Sequence, residues 1–193
     1  MTKTRSSGII DNVRHCCSPG SASMAYFYFD FNEAAKVSYS KLLRSLIKSF
    51  SNQFPSVAPA LVDLYKQKSE RQEQPTNEEL LVTLTTMLGS FDQAFIIIDA
   101  LDECSQEQTC TIKLFGRLLH AGFRNFHLLV TSRDELAIAM DLGSLACHHV
   151  DLNTTVVDRD IELYLDSELT SDSKLGKWST LIKSRLMERA GGM

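Results

Sequence analysis

The chain has 193 residues, with 20 basic and 24 acidic side chains and a net charge of -4. That length suits one α/β domain with a sizeable core, or a domain with a small helical annex, and that charge gives no electrostatic footprint for nucleic acid. No secretory leader opens the chain and no apolar run approaches the roughly 20 residues that span a bilayer. Five cysteines without CxxC spacing fit a reducing, cytoplasmic setting.

Met1 to Val13 reads as weakly helical and ends in a polar break, His15 to Ser23, punctuated by Pro19 and Gly20. Met24 to Phe31 is almost continuously apolar and aromatic, the pattern of a strand buried on both faces. Tyr39, Leu42, Leu43, Leu46, Ile47 and Phe50 then recur at helical spacing, with Ser38 placed to cap the helix. A loop is expected next, across Pro55, Pro59 and the polar run Lys66 to Pro75. Thr76-x-x-Glu79 reads as a capping box that opens a helix burying Leu80, Leu81, Leu84, Met87 and Leu88, with Gly89 near its end.

The next stretch, Ala94 to Glu103 (AFIIIDALDE), is the most informative in the chain. Five apolar, β-prone residues are followed by three acids within five positions. A buried parallel strand reads this way when its C-terminal tip delivers carboxylates to a ligand crevice. In nucleotide-hydrolysing folds an aspartate there holds Mg²⁺, and a following acid orients water. A plain core strand running into an acidic loop is the structural alternative.

A helix is expected over Glu107 to His120, then a second buried strand, Phe126 to Thr131 (FHLLVT), ending in Ser132 and Arg133. About thirty residues with a helix between two strands is the requirement of a βαβ unit. A short helix near Asp134 to Leu142 and a weak strand at His148 to Leu152 follow. From Asn153 onward two helices are expected without strands. One would bury Ile161, Tyr164, Leu165 and Leu169, the other Leu175, Trp178, Leu181, Ile182 and Leu186.

The runs AYFYFDF, LLRSLI, FIIIDALDEC and HLLVTSRDE, in this order, resemble fungal NACHT-type NTPases of the signal-transducing STAND class, which overlap the nephrocystin-3-like N-terminal domains. DIELYLDSEL, LGKW and AGGM resemble the helical region that follows their nucleotide domain. The resemblance implies a P-loop NTPase-like parallel sheet over residues 1–152 and a helical annex over 153–193. It implies ATP and Mg²⁺ as cofactors, and as partners the other domains of a signalling assembly, in relatives ankyrin or WD40-type repeats. It implies that Asp99 is the Mg²⁺-coordinating Walker B aspartate and that Asp102 or Glu103 positions water. Arg133 would sense the γ-phosphate, where a cation offsets the charge gathered on the transferred group. An ion pair with Asp134 or Glu135 is the alternative for Arg133.

The departure from the pattern is the phosphate loop. No GxxxxGK[ST] occurs anywhere in the sequence, so no glycines let backbone N–H groups approach phosphate. Lys3 and Thr4 resemble the tail of that loop, its lysine and Mg²⁺-binding threonine; a ragged N-terminus is the alternative. The expectation is an incomplete sheet whose leading strand would precede Met1, and impaired nucleotide binding. In the family that strand lies beside the one that is Phe126 to Thr131 here.

Smaller constellations point to structure. Cys147-His148-His149 has no second ligand pair, and neighbouring strand residues face opposite ways. His15-Cys16-Cys17 has no orienting third group for a thiolate. Lys41, Arg44 and Lys48 form a solvated helical stripe, and Trp178 reads as core. Three functional classes remain open: a regulatory NTPase fragment, a non-catalytic interaction module keeping the fold, and a small α/β enzyme using Asp99 and Glu103 on another metal-bound substrate.

Overall fold

The computed structural model describes residues 3–16, 22–29, 39–53, 59–104, 108–133, 135–145, 148–150, 154–171 and 178–190. The chain divides into two compact units, Met1–Ala146 and Cys147–Met193.

The first unit is α/β, and its sheet has three parallel strands. Strands β1 (Ala22–Tyr28), β2 (Gln93–Asp99) and β3 (Phe126–Val130) lie side by side in the order β1-β2-β3. Ala25 stands opposite Ile96, and Ile96 opposite Leu128. Parallel neighbours need long crossovers. Helices α2 (Tyr39–Gln53), α3 (Pro59–Arg71) and α4 (Asn77–Leu88) occupy the first crossover, and α5 (Gln108–His120) the second. Helix α1 (Lys3–Cys16) precedes β1, and α6 (Leu136–Gly143) follows β3.

Alternation along the strands assigns side chains to the two faces of the sheet. Ala25 and Phe27 of β1 join Ala94, Ile96 and Ile98 of β2 in the main core under α2, α4 and α5. Leu42, Leu43, Leu46, Ile47 and Phe50 of α2 are buried there, as the helical spacing required. The other face is thinner: Ile10 and Val13 of α1 pack on Met24, Tyr28, Phe95 and Ile97. Central β2 is apolar on both faces because both are covered.

β3 differs from its expected burial on both faces. Phe126, Leu128 and Val130 reach the rim of the main core, while His127 and Leu129 on the other face are exposed. Among the described residues β3 is the last strand of the sheet, and only one of its faces is covered.

The loop expected after α2 contains α3. Pro59 occupies its first position, where the missing N–H costs nothing. Leu64 is the buried residue of α3, so the apolar stripe is too narrow to stand out in sequence. Lys68 of α3 bonds Glu79 of α4 at 2.8 Å and Glu73 at 3.3 Å. The capping box is present: Thr76 Oγ1 accepts from Glu79 N–H, and Glu79 Oε2 accepts from Thr76 N–H at 2.8 Å. Arg117 of α5 forks onto Glu78 of α4 at 2.6 and 2.8 Å.

The second unit contains α7 (Thr154–Ser171) and α8 (Ser179–Ala190). Lys183 of α8 bonds Asp166 at 2.7 Å and Glu162 at 3.0 Å on α7. The buried stripes expected here are largely absent. Leu169 is buried and Ile161, Leu165 and Ile182 are half-buried, but Tyr164, Trp178, Leu181 and Leu186 are exposed. Two helices hold too little material to enclose both stripes. Leu175 lies outside the described residues, as do Ser38, Cys17, Asp134, Cys147 and Asn153. Of the weak strand expected over His148 to Leu152, residues 148–150 are exposed and irregular, and 151–152 lie outside the described residues. Among the described residues no helix is long and apolar enough to cross a membrane.

Candidate functional site

The C-terminal ends of β2 and β3 meet in a small knot of polar groups. Asp99 is the last residue of β2 and is 6 % exposed. A carboxylate that deep needs donors. Thr131, one residue past β3, supplies one: its hydroxyl donates to Asp99 Oδ1 at 2.5 Å. The same Oγ1 accepts from the Ala100 N–H at 3.1 Å. The Thr131 main chain donates to Ile98 O and accepts from Leu101 N. On the other side, Phe29 N donates to Asp99 O, so the end of β1 is tied to the same point.

After Asp99 the chain reverses sharply. Ala100 sits in the left-handed region with φ 56 and ψ 53, which costs a residue with a Cβ roughly 1–2 kcal/mol. Leu101 to Glu103 then form one 3₁₀ turn, with Leu101 fully buried beneath it. Glu103 N–H returns to Ala100 O, and Cys104 N–H to Leu101 O. Burial of Leu101 and the bonds to Thr131 hold the strained residue in place.

Asp102 and Arg133 meet across the two strand ends. Arg133 Nε lies 3.3 Å from Asp102 Oδ2, and the Arg133 backbone N–H donates to Asp102 Oδ1 at 3.1 Å. The Asp102 side chain is 7 % exposed against 81 % for Arg133. Asp102 therefore acts on the backbone of the β3 end as well as on a cation. Of the partners expected for Arg133, Asp134 lies outside the described residues, and Asp102 takes the place assigned to Glu135. Asp99, Asp102, Glu103 and Arg133 are thus gathered at one end of the sheet. Lys3 and Thr4 fall in the first turn of α1, and their side chains lie outside the described residues.

Thr131 and Ala100 were not singled out from sequence. The signal for Thr131 was present, a hydroxyl directly after the apolar run LLV, where a strand passes from core to crevice. Ala100 gave none, since alanine is a poor indicator of left-handed backbone.

Two surface grooves lie elsewhere. One, of about 650 Å³, runs between α5 and α6 past Lys113, His120 and Asp141; the other, of about 430 Å³, borders β1 at Arg14, Tyr26 and Gln53. Neither is lined by the acid tip. Among the described residues no group of three or more His, Cys, Asp or Glu side chains is placed to hold a metal ion.

Residues 3–133 match the family described as Nephrocystin 3, N-terminal. The match spans more than half of the chain and runs from α1 through Arg133. No curated protein matches the chain.

Proposed function

The chain belongs to the nephrocystin 3 N-terminal family, and on that premise we propose that it is part of a NACHT-like regulatory NTPase domain of the STAND class. In this reading the 193 residues keep the acidic end of the site and bind nucleotide poorly. The supporting observation is the assembled tip, with buried Asp99 braced by Thr131 and the Asp102–Arg133 pair beside it.

Mg²⁺ keeps several waters and takes one or two carboxylates together with phosphate oxygens. Asp99, at the end of β2, supplies one such carboxylate. The triphosphate does not fit equally well. Its oxygens need a row of backbone N–H groups that only a glycine-rich loop presents closely, and the sequence has none. No hydrolytic step is assigned to this chain.

Within the proposal Asp102 also holds the Arg133 backbone and side chain, and Asp102 or Glu103 would orient the water. Arg133 is largely solvated, so its guanidinium is accessible to a phosphate. Nucleotide state would then set the arrangement of neighbouring helical and repeat modules in a cytoplasmic signalling assembly. A second reading, a non-catalytic interaction module, is favoured by the exposed Tyr164, Trp178 and Leu181 of the helical unit.

Calorimetric titration with ATP–Mg²⁺ tests the impaired state. Charge-assisted bonds contribute roughly 1.5–3 kcal/mol each, so losing two weakens binding at least about a hundredfold. A dissociation constant weaker than about 100 μM is expected. Low-micromolar binding would overturn it, with Lys3→Ala as the follow-up.

A further inference from the structure

Among the described residues β1 ends the sheet on the far side of β2 from β3. Phe29 N donates to Asp99 O, so the odd-numbered positions of β1 face β2 and Met24 turns its N–H and C=O outward. The seven residues of β1, Ala22 to Tyr28, include three aromatic side chains and no charge, proline or glycine. An uncharged, β-prone run of that length pairs from chain to chain when its edge is open. Edge strands are normally blunted by a lysine, a proline, a bulge or a covering element, and the β1 sequence carries neither of the first two.

Gln53, the last residue of α2, covers it instead. Its Oε1 accepts from Met24 N–H at 3.1 Å and from Ser23 Oγ at 3.2 Å. Its Nε2 donates to Met24 O at 2.7 Å and to Ser49 O at 2.8 Å. A carboxamide has two donor hydrogens and an oxygen that accepts twice, and here all four are used. Only the bond to Ser49 O belongs to the helix end; the other three go to β1. The pair on Met24 gives one N–H and accepts another at a single residue, as a residue of a neighbouring strand would. Leu46, Ile47 and Phe50 hold α2 in the main core, so the amide arrives on a rigid element.

We propose that Gln53 is an edge stop, whose side-chain amide occupies the hydrogen-bonding position that β1 of a second copy would take and so keeps two copies from joining their sheets there. An uncharged strand offers no like-charge repulsion against its own counterpart, so hydrogen-bond occupancy at Met24 is what separates the copies. An incoming strand finds the ladder already filled at that residue and must displace three bonds to use it. This role is independent of any nucleotide.

Hydrogen exchange of the full chain, read at single amides by nuclear magnetic resonance, supplies the first test. The Met24 N–H is expected to be protected. In Gln53→Met, which keeps the side-chain length and removes the amide, its exchange should quicken on the order of tenfold, the equivalent of one hydrogen bond. Sedimentation over rising concentration supplies the second. Gln53→Met is expected to self-associate at least about tenfold more tightly than the unaltered chain, with unchanged circular dichroism. Gln53→Glu keeps an acceptor and sets a charge on the edge, and should associate no more than the unaltered chain. If the methionine variant does not fold, Gln53→Asn, whose amide is one methylene too short to reach, takes its place. An unprotected Met24 N–H in the unaltered chain, or a Gln53→Met variant that associates no more than that chain, would overturn the proposal. Equal association of Gln53→Glu and Gln53→Met would also overturn it, by showing a loosened fold in place of an opened edge.

Discussion

Thr131 makes four bonds at the meeting of β2 and β3, two through its main chain and two through its hydroxyl. The hydroxyl carries the larger burden because one of its partners is the buried Asp99 carboxylate. Replacing Thr131 by Val keeps the β-branched shape and removes only the oxygen's bonds. A hydrogen bond to a charged group contributes roughly 1.5–3 kcal/mol, so Thr131→Val is expected to lower unfolding stability by about that amount. Thr131→Ser should lose less than half as much. Urea denaturation of the three proteins checks this, and a valine variant as stable as the parent would remove Thr131 from its bracing role. At this scale the sequence showed the acids but not their division of labour. Asp99, Asp102, Glu103 and Arg133 stand out because charge at the end of an apolar run is visible in one dimension. That Asp102 grips the Arg133 backbone is a contact across thirty-one positions, and no local pattern encodes it.

Between elements, the Glu79 carboxylate ties α4 to α3 through Lys68. Glu79 accepts from Lys68, Thr76 N–H and Thr76 Oγ1, and the Lys68 bond is the largest cause that draws its pKa down to about 2. An unfolded glutamate titrates near 4.3. A folded value below the unfolded one means the contribution is complete above about pH 4.3 and disappears as pH falls toward about 2. Thermal melts between those limits should therefore show an acid loss that is reduced in Glu79→Gln. An identical acid profile in the variant would show that this junction does not report on Glu79. The capping box was legible beforehand because it is local, four residues with defined chemistry. Helix α3 was not, since Leu64 is its buried residue and its anchor to α4 is the Lys68 ion pair. The half-exposed state of β3 escaped for a related reason: FHLLV reads the same for a central strand and an edge, and neighbours decide between them.

For the whole molecule, the α/β class and the parallel order β1-β2-β3 follow from three apolar strands separated by helical crossovers. Among the described residues the second unit contains the helices α7 and α8, whose apolar residues are largely exposed, because periodicity reports amphipathicity and not what covers it. The central functional claim is that an intact acid tip is present without a phosphate loop. It is tested most directly by joining a strand ending in GxxxxG ahead of Lys3-Thr4 and measuring ATP–Mg²⁺ affinity by calorimetry in that chain and in its Asp99→Asn variant. The account predicts a gain of at least about a hundredfold over the 193-residue chain, lost largely in Asp99→Asn and kept in Glu103→Gln. A folded, loop-bearing chain that gains no affinity, or whose gain is untouched by Asp99→Asn, would contradict the account and leave the interaction module as the better description.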